Sequence, residues 1–223
     1  MYLTLLRLDP HSPSIQRVLR DPHALHQTVM RAFPSILDPE QEARAYWGAL
    51  HRMEIERRTG RLLLYVQSRI EPDWSFLSED CLVQDGLPNP GVKSVTAAYD
   101  RIAAGTTLRF RLRANPTRKI DTKSGPGGER RNGRRVPVVG LKAQVGWLAR
   151  KAEEHGFSLL QATIAATGAA ELVRSYSRGC CFQGVLFEGR LVVRDAERFR
   201  GALASGIGPG KAFGFGLLSV GVD

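Results

Sequence analysis

Cysteine is scarce in this sequence: three residues in 223, at Cys81, Cys180 and Cys181. They make no C-x-x-C pair, and adjacent cysteines rarely bridge each other, so neither a zinc site nor a disulfide framework can be built from them. They read as buried free thiols in a reducing compartment, with no metal and no cofactor implied. Long apolar runs are missing as well. No stretch reaches the roughly 18 residues that a membrane span needs, and the opening MYLTLLRLDPH carries no charged start and no cleavage signature. The expectation is a cytoplasmic chain without a membrane partner. Acids are few beside bases, 22 Asp and Glu against 32 Lys and Arg, for a net charge of +10. Such an excess suits a polyanionic partner, nucleic acid first, although a basic chain also stays soluble for no further reason. A hydrophobic fraction of 43% excludes global disorder.

The pattern of elements is strand, helix, two strands, a short helical piece and a possible strand, and then the same order again. Residues 2–8 read as a strand. Asp21 is a natural N-cap and Pro22 suits the first helical position, so a helix is predicted over 22–33, with Leu25, Val29, Ala32 and Phe33 as its buried stripe. Residues 51–58 and 61–68 are two strands around Thr59-Gly60, 71–75 a turn or short helix, and 94–102 a possible returning strand. In the second round, 106–114 is a strand. A helix over 141–155 would bury Leu141, Val145, Leu148 and Ala152 and end at Gly156, followed by strands over 157–175 and 180–194. Asp195 caps a helix over 196–204 with Phe199 and Leu203 inward, and 217–222 is the last strand. The economical reading is α+β, two tandem ferredoxin-like (RRM-like) βαββαβ domains, 1–103 and 104–223. Fold alone assigns no function.

Three features carry chemistry. The segment 117–135 holds Arg118, Lys119, Lys123, Arg130, Arg131, Arg134 and Arg135 against only Asp121 and Glu129. It reads as a loop, mobile until it folds onto phosphates, or as a solvated basic loop. Just before it, Arg109, Arg111 and Arg113 alternate with Leu108, Phe110 and Leu112, which puts three cations on one strand face. The second feature is the glycine-rich loop 206–216, in which Gly208, Gly210 and Lys211 are candidate phosphate contacts. It is no Walker loop, because Ser205 and Ala212 stand where that motif needs Gly and Ser or Thr. It precedes a strand rather than a helix, so it is no dinucleotide fingerprint either. A tight turn needing positive φ explains the glycines equally well. Third, of five histidines, His23 and His26 lie one turn apart at the edge of the first helix's buried stripe. A solvated helix edge would place them there too, and a metal pair lacks a third ligand.

Taken together, these residues resemble the CasE family of CRISPR-associated endoribonucleases, which process repeat RNA in type I-E systems. The resemblance runs nearly end to end. It is carried by Tyr2-Leu3-Thr4, by Asp21-Pro22-His23-Ala24-Leu25-His26, by Glu71-Pro72-Asp73-Trp74-Ser75, by the run Leu108 to Pro116, by Val185 to Leu191, and by the loop Gly206 to Gly216 ahead of Leu217-Leu218-Ser219-Val220. Each is weak alone, and six in the right order are strong. The resemblance implies two ferredoxin-like domains, a CRISPR repeat stem-loop RNA as substrate, and retention of the cut RNA with other subunits of the Cascade complex. It also implies metal-independent cleavage by 2′-hydroxyl attack, leaving a 2′,3′-cyclic phosphate and a 5′-hydroxyl. The family's catalytic histidine falls on His26.

One position departs from the family. A tyrosine commonly stands three residues before that histidine, and this sequence has His23. Whether His23 substitutes for it, adds a second acid–base group or does nothing stays open at this point. Lys211 is a candidate for stabilising the phosphorane charge, or for general phosphate binding. Two other readings compete: a repeat-RNA-binding subunit that does not cleave, and a tandem-RRM protein unrelated to CRISPR. RRM domains usually show aromatic positions where the strand 108–113 offers arginines.

Overall fold

A computed structural model of the chain describes residues 1–36, 42–56, 58–120, 134–160, 165–166, 171–175 and 178–222. It is an α+β fold with two antiparallel sheets. The first sheet contains β1 (Tyr2–Leu8), β2 (Leu50–Ile55), β3 (Leu62–Ser68) and β4 (Gly91–Ser94). Their spatial order is β2-β3-β1-β4. Against it pack α1 (Pro13–Leu19) and α2 (Pro22–Met30), burying Ile15, Leu25 and Val29 among Leu6, Leu8, Leu64, Val66 and Trp74.

The second sheet is built on β5 (Thr107–Ala114), paired on one side with the long β11 (Cys180–Val193) and on the other with β12 (Leu218–Gly221). Beyond β11 lie β8 (Phe157–Leu159), β9 (Ala165–Ala166) and β10 (Glu171–Ser175). The helices α5 (Leu141–Glu154) and α6 (Ala196–Ser205) cover one face, with Phe157, Phe187, Phe199, Leu148 and Leu203 fully buried. With β8, β9 and β10 taken together as the one edge that pairs with β11, the spatial order of the first sheet recurs in the second, consistent with a duplicated ferredoxin-like pattern.

Local rules account for much of this. Asp21 accepts a hydrogen bond from the His23 backbone N–H, and Asp195 does the same for Arg198, so both expected N-caps are present. In β5 the arginines alternate with buried Leu108, Phe110 and Leu112 as a strand period requires.

Several expectations need correction. Helix α2 stops at Met30, and Ala32 and Phe33 are buried from the turn after it. The helices α1 and α3 (Ala43–Tyr46) were not expected; Pro13 opens α1 at its first turn. Residues 94–102 are no strand: β4 ends at Ser94 and α4 (Thr96–Asp100) follows. Of the two alternatives for 71–75, the turn is the one present: it begins at the buried Trp74, whose carbonyl accepts from the Leu77 N–H. The predicted strand 157–175 is three short pieces. In α5 the buried stripe is Gln144, Trp147, Leu148 and Ala152, while Leu141 is exposed. The expected stripe was rotated because Trp147 dominates the packing against Phe187. Cys81 is buried as expected, but Cys181 is exposed. The basic segment begins and ends as a hairpin, β6 (Thr117–Ile120) against β7 (Arg134–Pro137), and the residues between them lie outside the described ones. No helix among the described residues is long and apolar enough to cross a membrane.

Side chains lock the two halves together. Arg52, almost wholly buried, donates from Nη1 to the Leu217 carbonyl at 3.0 Å, and Gln67 donates from Nε2 to the Leu203 carbonyl. The seam between the halves is where the histidines collect.

Candidate active site

Three of the five histidines form a row. His23 and His26 stand on α2 with ring centroids 6.4 Å apart. Beyond His26, 6.2 Å away and nearly parallel at 18°, lies the ring of His51 from β2. On the other side of His23 is Phe213, again at 6.4 Å. Phe213 belongs to a 3₁₀ turn (Lys211–Phe213) inside the glycine loop, and Phe182 of β11 holds it at 4.5 Å. The row therefore needs a helix and a strand from the first half and a loop from the second.

Burial controls the charge state here. Desolvation, then the neighbouring charges of His23, Arg44 and Arg178, lowers the His26 pKa from 6.5 to about 4. His51 is fully enclosed, and desolvation, then His26, Arg113 and Arg44, lowers it to about 3. Both imidazoles are neutral at pH 7. The Nε2 of His51 is buried without a hydrogen-bond partner, and Gly214 covers it. A buried polar atom left unpaired costs about 1–3 kcal/mol, so its retention asks for a reason beyond packing.

His23 is held differently. Arg178 donates from Nε to the His23 Nε2 at 3.2 Å. A guanidinium donates only to a ring nitrogen with a lone pair, so this hydrogen bond leaves Nδ1 as the donor position of the His23 ring. Asp21, the cap of α2, accepts a second hydrogen bond from the Ser175 hydroxyl of β10 at 2.8 Å. The helix that carries His23 and His26 is thus pinned at its N-terminus by the second half.

Cations surround the row. Arg44 on α3 is half-buried, and its pKa is lowered by desolvation. Its charge acts on His26, His51 and Lys211 alike. Lys211 is half-buried with a pKa lowered by desolvation, then by Arg44 and Lys151. It lies in the glycine loop that packs on α2 and β2. Arg44 rather than Lys211 is the cation common to the site, and a sequence reading has no signal that would single it out. His51 is equally invisible in sequence, because one histidine in a strand looks like any other until register sets it under His26.

The remaining expected residues fall into three groups. Arg118, Lys119 and Arg135 are exposed on the hairpin, with Arg135 donating to the Thr117 hydroxyl at 3.3 Å. Arg134 sits on the same hairpin as the partner of Ile120, and Arg130 and Arg131 lie outside the described residues. On β5, the arginines share a face but not a role. Arg109 is exposed and donates to the Val222 carbonyl. Arg113 lies over the Phe215 ring at 5.2 Å, close enough for its charge to act on His51. Arg111 does not stand open to an anion: Glu188 at 2.7 Å and Glu54 at 3.1 Å hold it at the seam. An acid from the other half and one from the neighbouring strand neutralise it, and neither is adjacent in sequence.

The glycines serve the fold's own packing. Gly208 and Gly210 have φ of 81° and 83°, and a Cβ on them would approach Trp147 at 3.0 Å and Phe215 at 2.9 Å. At these two positions the absent side chain makes room for neighbouring aromatics rather than for a ligand.

Comparison with known proteins agrees with this geometry. A family model described as CRISPR associated protein matches residues 1–221. CRISPR-associated endoribonuclease Cse3 of Thermus thermophilus is 36% identical, over 99% of both chains. The Cascade subunit CasE of Escherichia coli K12 is 31% identical, over 90% of this chain and 92% of its own. A structure of Thermus thermophilus Cse3 bound to an RNA representing a pre-cleavage complex superposes with a TM-score of 0.79 at 34% identity, covering 99% of this chain and 98% of that one. A crystal structure of Cas6e from Escherichia coli K-12 gives 0.67 at 26% identity, with both chains fully covered. With its fold and nearly its whole length in common with these proteins, the chain belongs to the Cse3/CasE family of CRISPR-associated endoribonucleases.

Proposed function

We propose that this chain is an endoribonuclease that binds the stem-loop of CRISPR repeat RNA and cuts precursor transcripts into guide RNAs. The observation that carries the reading is the histidine row flanked by Arg44 and Arg178 at the seam of the two halves. Cleavage by an internal 2′-hydroxyl requires a base, a proton for the departing 5′-oxygen, and positive charge on the phosphorane. His26, neutral in the free protein, takes the 2′-hydroxyl proton and, as the imidazolium so formed, gives it to the departing 5′-oxygen. The Nδ1–H of His23 donates a hydrogen bond to the phosphate, as a tyrosine hydroxyl would. Arg44 and Lys211 supply the charge, and His51 backs the His26 ring and keeps water from behind it. These side chains meet all three requirements, so no step is assigned to a metal ion.

The same reading divides the chain at about residue 103 into two ferredoxin-like domains, the first bearing the acid–base groups. The cations of the segment 117–135, Arg118, Lys119, Arg130, Arg131, Arg134 and Arg135, grip the RNA stem, with Arg109 and Arg113 as further contacts. The relatives' names extend the proposal to membership of a Cascade assembly that keeps the cut RNA. Incubation with a repeat hairpin RNA in EDTA tests it: a 5′-hydroxyl product and a 2′,3′-cyclic phosphate are expected. An RNA bound tightly and left intact would instead make the chain a binding subunit.

A further inference from the structure

Three consecutive residues of β2 hold the glycine loop at its start, middle and end. Leu50 packs against Gly206, where a Cβ would meet its side chain at 2.9 Å. His51 is covered by Gly214, and Arg52 donates to the carbonyl of Leu217, the first residue past the loop, at 3.0 Å. The first two are van der Waals contacts, individually weak, whereas the third is a directional hydrogen bond from a cation. The loop is closed on itself by the Ile207 N–H, which donates to the Gly216 carbonyl at 2.9 Å. Fixing its ends therefore fixes what lies between them: Lys211, Phe213 against His23, and Gly214 over His51.

Arg52 can do this only while its charge is balanced. Its side chain is almost wholly buried, and burial lowers its pKa, an effect that Glu54 opposes. Arg52 and Glu54 alternate along β2 with His51 and Met53, so they occupy the face of the strand away from the histidine row. There Glu54 accepts from the Arg52 Nε at 2.6 Å, which leaves Nη1 for the Leu217 carbonyl. The same carboxylate oxygen pairs with the Arg111 Nε of β5 at 3.1 Å, while Glu188 takes the Arg111 Nη1 at 2.7 Å. Two guanidinium groups thus face two carboxylates across the seam, and Glu54 serves both cations. We propose that Glu54 is a positioning residue of the nuclease, orienting Arg52 so that it seats the glycine loop against the histidine row. It meets no reacting group and acts through Arg52 and the loop. The proposal rests on the ribonuclease reading and extends it to a residue on the opposite face of the sheet.

The test is single-turnover cleavage of the repeat hairpin RNA by the full chain at saturating protein. Binding is measured separately on an RNA made non-cleavable by a 2′-deoxy sugar at the attacking nucleotide. Glu54→Gln keeps the size of the side chain and removes its charge. Glu54→Asp keeps the charge, and with it the balance that folding needs, but draws the carboxylate back from Arg52. Glu54→Gln is expected to slow cleavage about 10- to 100-fold, the scale of a small misplacement at the site, and Glu54→Asp about three- to tenfold. RNA affinity should stay within about twofold in both, because no phosphate contact is lost. Amide exchange reads the loop directly: the Ile207 and Gly216 N–H groups should exchange faster in both variants, with α5 unchanged. In a Phe213→Ala background, where the loop has lost its contact with His23, Glu54→Gln should cost less than about threefold. Variants that cut at the unaltered rate, full additivity with Phe213→Ala, or a loss confined to affinity overturn the assignment and leave the ribonuclease standing. An unaltered protein that leaves the hairpin intact overturns both.

Discussion

The histidine row and the basic hairpin are built on opposite terms. His26 and His51 lie in a seam where burial, more than any neighbour, fixes them as neutral bases. Arg118, Lys119 and Arg135 stand in solvent on a two-stranded hairpin, where a cation costs nothing to keep. Proton transfer at neutral pH needs a lone pair held in one place, and packing from two halves of the chain provides it. On the proposed reading, phosphate binding needs charge that can follow a duplex, and the exposed cations of the hairpin would supply it. The two regions should therefore fail in different ways.

The largest effect is expected at His26. His26→Ala should slow single-turnover cleavage about 100- to 10,000-fold, the usual worth of a positioned acid–base group. RNA affinity should hardly move, since a neutral imidazole adds little to phosphate binding. Because the free enzyme's His26 titrates at about 4, the acid limb of kcat/KM should also lie well below the ordinary histidine value of 6.5. A limb near 6.5 would remove the argument from burial, and near wild-type cutting by His26→Ala would remove the site.

His51 comes next. His51→Ala opens a void behind His26 and should slow cleavage about 10- to 100-fold through misplacement, with unchanged affinity. It should also raise the acid limb, because water then reaches His26. Stability follows the same group. Its folded pKa of about 3 lies below its ordinary 6.5, so the unfolded chain binds the proton more readily. Stability from this burial is complete above about 6.5 and falls as pH drops toward 3. A His51→Phe protein should lose that part of the acid sensitivity in thermal melts, and an unchanged pH dependence would show that His51 is not the buried titrating group.

The hairpin should fail through affinity alone. Replacing Arg130, Arg131, Arg134 and Arg135 with uncharged residues should weaken RNA binding roughly tenfold or more while leaving the cut position in place. Each lost phosphate contact flattens the slope of log K against log salt by about 0.7 to 0.9. A slope that stays the same would mean that these residues do not touch RNA.

The smallest effect is expected at His23. If its Nδ1–H serves as a neutral donor, His23→Tyr should retain activity within about threefold and keep the same pH profile, whereas His23→Ala should lose more. Loss of one limb in His23→Tyr would show instead that His23 itself carries a proton during the reaction.

What could be seen in the sequence was whatever depends on near neighbours. The caps Asp21 and Asp195, the alternation around Arg109, Arg111 and Arg113, and the helix bearing His23 and His26 follow from spacing alone. Whatever depends on register across the fold could not be seen. His51 enters the site because β2 runs beside α2, and Arg111 leaves the anion-binding set because Glu54 and Glu188 arrive from other strands. The stripe of α5 went astray for a related reason. Leu141 has the right spacing but opens the helix and stays exposed, and Gln144 takes an inward place by donating to the Val138 carbonyl.

The hydrogen bond from Ser175 to Asp21 has a consequence for biosynthesis. A chain emerging from the ribosome displays His23, His26 and His51 within its first quarter, long before Ser175 and Phe213 have been made. Until they arrive, the cap of α2 lacks its outer anchor, the row lacks its aromatic wall, and the imidazoles remain open to water. Products that end before Ser175 then carry all three histidines of the row without the enclosure that sets their charge state. On the proposed reading, activity therefore waits on synthesis of the second half.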